Sequence, residues 1–176
     1  MAVITATALT GITTRVADAT MSAGSILQVV NATYTGATSF TTSGTTFQDT
    51  GVTADITPSS SSNKILIMYQ LECTAPTDNK HACRLVRGST DILLADSAST
   101  RMRGSNANGT TATDTRMSSL SNTYLDSPGT TSSTTYKLMG WCESNNTFYI
   151  NMSESNNDHA SHPRGTSTIT LMEVAV

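Results

Sequence analysis

Three groups of residues have the types and spacing to do chemistry. The first is Asp49-Thr50-Gly51, inside "TTFQDTGVTADITP". An aspartate followed by Thr-Gly and an apolar run is the arrangement around the catalytic carboxylate of an aspartic protease. That reaction needs two carboxylates sharing a proton, so a chain with one such loop must pair with a second copy. It also needs apolar residues on both sides of the aspartate. Gln48 precedes Asp49, and no flap-like segment is evident. Asp and Gly also form turns readily, and the stretch is read as a turn joining two strands.

The second group is "DHASHPRG", which sets His159 and His162 three residues apart beside Asp158. Imidazoles are common metal ligands, but two of them fill only part of a coordination shell. The plainer reading is a polar loop with two exposed histidines. The third group would be a Ser-His-Asp set, whose members need not be adjacent in sequence. No G-x-S-x-G elbow is present, and serine is too common for one to stand out. Glycoside hydrolysis would need two carboxylates across a cleft. Glu72, Glu143, Glu154 and Glu173 fall on strands and edges instead. The expectation is therefore no enzyme, no cofactor and no resident metal, with His81 beside Lys80 at the surface.

Composition limits what must position these groups. The chain has 176 residues, which suits one domain with a real core. Charged residues make up 13% and the net charge is -3, which argues against a nucleic-acid surface. Serine and threonine together are roughly a third of the chain, far above ordinary usage. Threonine suits strands and serine suits turns. No stretch approaches the ~18 apolar residues of a membrane-spanning helix, so no membrane insertion is expected. The N-terminal residues lack the charged start and apolar centre of a signal peptide. Cys73, Cys83 and Cys142 form no C-x-x-C pair and are read as buried free thiols, folded in a reducing compartment.

Along the chain, "SILQVVNATY" is the first clear strand. Ser43-Gly44 marks a hairpin turn, and "VTADITP" alternates apolar and polar residues up to Pro58. "KILIMYQLEC" is apolar on both faces and is read as a central strand. "ACRLVRGSTDILLAD" reads as a hairpin about Gly88-Ser89-Thr90, where Asp91 and Asp96 can meet Arg84 and Arg87. Residues 101–119 read as a long exposed loop. Further strands follow around Tyr124, over 135–142, at "NTFYINMSE" and at "TSTITLMEVAV", with a polar loop over 156–165. Trp141, Tyr136, Tyr149 and Phe148 are assigned to packing. A short helix near residues 13–22 is the one weak helical signal. The sum is about nine to eleven short strands with turns between them, the pattern of an all-β antiparallel sandwich or jelly roll.

Several segments, in this order, resemble a known module: "AGSILQVV", "TTSGTTFQDTGVTADITPSSSSNKILI", "LVRGSTDILLAD", "TYLDSPGTTSSTTYKL" and "STITLMEV". They look like the C-terminal module of tail fibre and other virion proteins of marine and freshwater bacteriophages, over roughly residues 23–176. The resemblance implies a virion surface protein, homotrimeric through its β-sandwich. It implies capsid or tail proteins as partners, and a host surface glycan or protein as a receptor. Such fibres can hold an axial metal through His-x-His, whereas this chain has His-x-x-His. The family module usually follows a long shaft. Here only residues 1–24 precede it, and they are read as an extended docking arm, with Ile4, Leu9, Ile12, Arg15 and Val16 as contact candidates. Receptor contacts are expected from Arg101, Arg103, Asn106, Asn108, Asn157, His159 and Arg164. No family motif covers 101–119.

Overall fold

The computed structural model describes residues 21–109 and 115–176. Alternation of apolar and polar residues builds the strands, and two antiparallel sheets pack face to face as a β-sandwich. The larger sheet holds β1 (Ile26–Tyr34), β2 (Thr38–Thr41), β4 (Lys64–Thr74), β8 (Ser118–Asp126), β10 (Thr147–Ile150) and β11 (Ser167–Val174). The smaller holds β3 (Gln48–Ile56), β5 (Lys80–Arg87), β6 (Thr90–Ile92), β7 (Asn106–Gly109) and β9 (Thr134–Cys142).

β4 is the centre of the larger sheet, as its sequence suggested. One edge pairs with β8 throughout. The other pairs with β11 over Lys64–Gln70 and with β10 at Cys73 and Thr74. β10 and β11 therefore follow one another along the same edge, as one strand from which residues 151–166 loop out. β4 is not equally buried on both faces: Ile65, Ile67, Tyr69, Leu71 and Cys73 are buried, while Met68 faces water. The inward residues of β4 meet Ile169, Leu171 and Leu120 from the same sheet and Leu85, Leu138 and Tyr136 from the other. Each large apolar side chain so buried contributes about 1.5–3 kcal/mol. Cys73, Cys83 and Cys142 are free and buried, as expected.

The structure corrects four readings. Asp49-Thr50-Gly51 does not join two strands; it is an irregularity inside β3, where register with β9 shifts between Asp49 and Thr53. Gly51 takes φ +79°, a left-handed conformation that glycine adopts without strain. Asp49 Oδ1 accepts the Gly51 N–H at 2.9 Å, and Thr50 Oγ1 donates to Leu138 O at 2.7 Å. Ser43-Gly44 is a tight corner, but β2 and β3 belong to different sheets, so it carries the chain across the sandwich rather than closing a hairpin. The tract 101–119 is only partly loop, since residues 106–109 form β7 against β5 and residue 118 starts β8. His81 is not at the surface; it points inward and is 1% exposed. The helix suggested near 13–22 falls almost wholly outside the described residues.

One end of the core is aromatic. Phe40 stacks on Phe148 at 5.4 Å, and His81 meets Phe148 edge-on at 6.2 Å. The ring of Phe148 sits where Gly140 has no side chain: a Cβ there would lie 2.9 Å from Phe148 Cε1 and 3.1 Å from Phe40 Cζ. Phe148 is fully buried and has no open space to turn into. Gly140→Ala is expected to destabilise the fold by about 1–3 kcal/mol in urea unfolding; an unchanged midpoint would mean the ring stack is loose.

Candidate functional site

The expected receptor residues divide between scaffold and surface. Arg103 Nε donates to Ala95 O at 2.6 Å, and Arg103 O accepts from Arg84 Nε at 2.7 Å, which ties down the 93–105 connection. Asn106 and Asn108 lie in a strand rather than a loop, and Asn106 Nδ2 bonds Ser121 O across to β8. Arg101 is exposed. Asn157, His159 and Arg164 are exposed together on the loop between β10 and β11. The ring centroids of His159 and His162 stand 5.4 Å apart. His159 Nδ1 accepts the Ser161 N–H at 3.2 Å, and His162 Nδ1 donates to Asn157 O at 3.1 Å. Among the described residues no three His, Cys, Asp or Glu side chains gather as a metal site. The stems of the two expected loops do meet: a Cβ on Gly165 would lie 2.9 Å from Met117 Cε. Ile4, Leu9, Ile12, Arg15 and Val16 lie outside the described residues.

A second site was not anticipated. On the outer face of the smaller sheet lies a concavity of about 390 Å³. One wall is the corner Thr45–Phe47, and the other is the hairpin turn at Gly88 and Ser89. Strand alternation supplies the floor, because Lys137 and Met139 of β9 face the same way as Val86 and Arg84 of β5, their cross-strand partners. Arg84 is fixed from several sides. Its guanidinium carbon lies 4.0 Å from the Phe47 ring centroid, and its Nη1 is 2.8 Å from Asp91 Oδ2. This pair follows the sequence reading, but Arg87 turns inward to Asp126 instead of reaching Asp96. Lys137 Nζ sits 3.1 Å from Asp49 Oδ2. The aspartate of the Asp-Thr-Gly stretch thus borders this hollow, half exposed, as the partner of a lysine. Trp141 stacks beyond Phe47 at 6.3 Å and donates Nε1–H to Gly44 O at 2.7 Å, which holds the corner. The register of β5 on β9 makes these residues neighbours, and sequence spacing alone does not give that register.

Three buried polar groups hold the scaffold. Glu173 is fully buried in the row Gln28–Glu173–Ile65–Asp126. Burial alone would raise its carboxyl. It nevertheless sits below the ordinary range, because Asn63 Nδ2, Ser59 Oγ, Gln28 Nε2 and the Ser59 N–H all donate to it at 2.6–2.7 Å. Asp126 takes both contacts from Arg87 Nη1, at 2.9 and 2.8 Å, and the Tyr136 hydroxyl at 2.7 Å. Burial, then that bond to Asp126, raises the Tyr136 phenol. At the aromatic end, burial lowers His81 from 6.5 to about 4, and its Nε2 lies 2.7 Å from Ser118 Oγ.

The chain matches no protein-family model and no curated protein.

Two of these groups predict an acid profile. His81 has a folded pKa below its unfolded one, so the folded state resists its protonation. The associated stability is complete above pH 6.5 and is lost as pH falls toward about 4. The loss is about 3 kcal/mol. Glu173 has a depressed folded pKa, so its contribution persists above 4.5 and is lost as pH falls through the folded value. Urea midpoints across pH should fall in both windows, and His81→Gln should flatten only the upper one. A wild-type profile flat between pH 6.5 and 4 would contradict this.

Proposed function

We propose that this chain is a structural surface protein of a bacteriophage virion, assembled as a homotrimer through its sandwich and docked to a capsid or tail protein by residues 1–24. The phage assignment and the number of copies come from the ordered segments that resemble virion modules. The observation that carries the assembly is an apolar row on the outside of the larger sheet. Val29, Met172, Leu66 and Leu125 stand side by side across β1, β11, β4 and β8. Val29 is 56% exposed and Leu125 is 45% exposed. The next row, Asn31, Thr170, Met68 and Thr123, is polar except for Met68, and the row beyond it, Thr33, Thr168, Gln70 and Ser121, is polar throughout. A contiguous apolar band within a polar face is the composition of a protein–protein contact.

The receptor-binding reading remains the second. It is favoured by Asn157, His159 and Arg164, which share an exposed loop whose base is fixed by a Met152–Arg164 bridge and by the Gly165 N–H to Asn151 O bond at 3.1 Å. Rigid stems with polar, exposed tips suit recognition.

Sedimentation of the full chain should give a trimer, and Val29→Asp with Leu125→Asp should give a folded smaller species. A monomeric wild type, or a variant that still sediments as a trimer, would refute this use of the face. Removing residues 1–24 should leave the trimer intact and abolish its incorporation into particles.

A further inference from the structure

The geometry points to the hollow between Phe47 and Ser89 as a binding site for a neutral saccharide of one or two rings. The inference rests on this hollow alone and holds whatever particle carries the chain. Its volume of about 390 Å³ is at the small end of the range for ligand sites. Its charges are balanced, since Arg84 pairs with Asp91 and Lys137 pairs with Asp49. An anionic ligand would have to compete with those carboxylates for the cations, and a cation would have to displace Lys137 or Arg84. A polyol needs neither exchange. Each of its hydroxyls both donates and accepts, so vicinal hydroxyls can bond to a carboxylate and an ammonium that already stand 3.1 Å apart.

The apolar part of a sugar ring also has a place to rest. Met139 is half-buried on the floor and supplies the main apolar surface, and Phe47, with Arg84 over one ring face, forms part of the wall. Arg84 is already held by the Phe47 ring, by Asp91 and by Arg103 O, so binding freezes little additional motion. The walls are two tight turns, each with a glycine at positive φ: Gly44 at +58° and Gly88 at +57°. Because each turn begins or ends a strand, the width of the hollow is set by the sheet.

Saturation-transfer NMR on the full chain tests this, with glucose, galactose, mannose, N-acetylglucosamine, lactose and chitobiose as probes. At least one should show transfer to ring protons, with a dissociation constant of about 1 mM. Ser89→Trp, which fills the hollow from an exposed turn, should weaken that signal at least ~tenfold while leaving the thermal midpoint unchanged. Lys137→Met should weaken it likewise, and Ser161→Trp on the β10–β11 loop should leave it unchanged. Absence of transfer from all six sugars would overturn the inference. So would transfer that survives both Ser89→Trp and Lys137→Met, or that is lost in Ser161→Trp instead.

Discussion

Asn151 stands where the larger sheet would otherwise come apart. β10 ends at Ile150 and β11 begins at Ser167 on the same edge of β4, so the ladder is interrupted wherever the intervening loop leaves. A buried gap in a ladder strands N–H and C=O groups, each costing about 1–3 kcal/mol. Here the amide of one side chain closes it. Asn151 Nδ2 donates to Tyr34 O at 2.7 Å and to Gly36 O at 3.1 Å, which joins the break to the β1–β2 connection. Its Oδ1 accepts from Ser167 Oγ at 2.7 Å, and that hydroxyl accepts the Glu72 N–H at 3.0 Å. The Asn151 N–H continues the ladder to Glu72 O at 2.8 Å. Asn151 takes φ +57°, a region that asparagine tolerates better than most residues. Among the described residues no buried side-chain N or O is left without a partner.

This junction separates what the fold requires from what the surface offers. Because the sheet is complete without it, the tip carrying Asn157 and His159, with Arg164 at its base, is free of core duties. The same division recurs at the two ends of the sandwich. At one end Glu173 and Asp126 tie the β3–β4 connection and the smaller sheet to the larger by hydrogen bonds and one half-exposed guanidinium. At the other, Phe40, Phe148 and His81 pack over Gly140. A scaffold held at both ends leaves its two outer faces to bear the apolar band and the charged hollow.

Much of this architecture was legible in the sequence, and the failures have physical causes. β3 could be read because alternation along "VTADITP" reports directly on a half-buried pleat, and β4 because an apolar run of strand length marks a central strand. Asp49-Thr50-Gly51 was misread as a connection because a bulge and a turn use the same residues, and only register tells them apart. His81 was misplaced because its neighbour Lys80 was taken as representative, although adjacent residues on a strand face opposite ways. β7 was missed because "NANG" has the composition of a turn; β5 recruits it as an edge strand all the same. The hollow was the least legible feature. Of its parts, only the strand over 135–142 and the Arg84–Asp91 pair were read from the sequence. Their convergence depends on how β9 registers against β5, a long-range property that no local window contains.

Native-state hydrogen exchange of the Asn151 and Glu72 amides tests most directly whether the break is closed as described. If the side-chain junction completes the sheet, both amides exchange only through global unfolding, with the same free energy as the Ile67 and Leu171 amides in the centre of the ladder. Exchange of either amide at the much faster rate of the 153–164 loop would contradict the account. It would mean that the loop opens the sheet with it and that the two are one mobile unit.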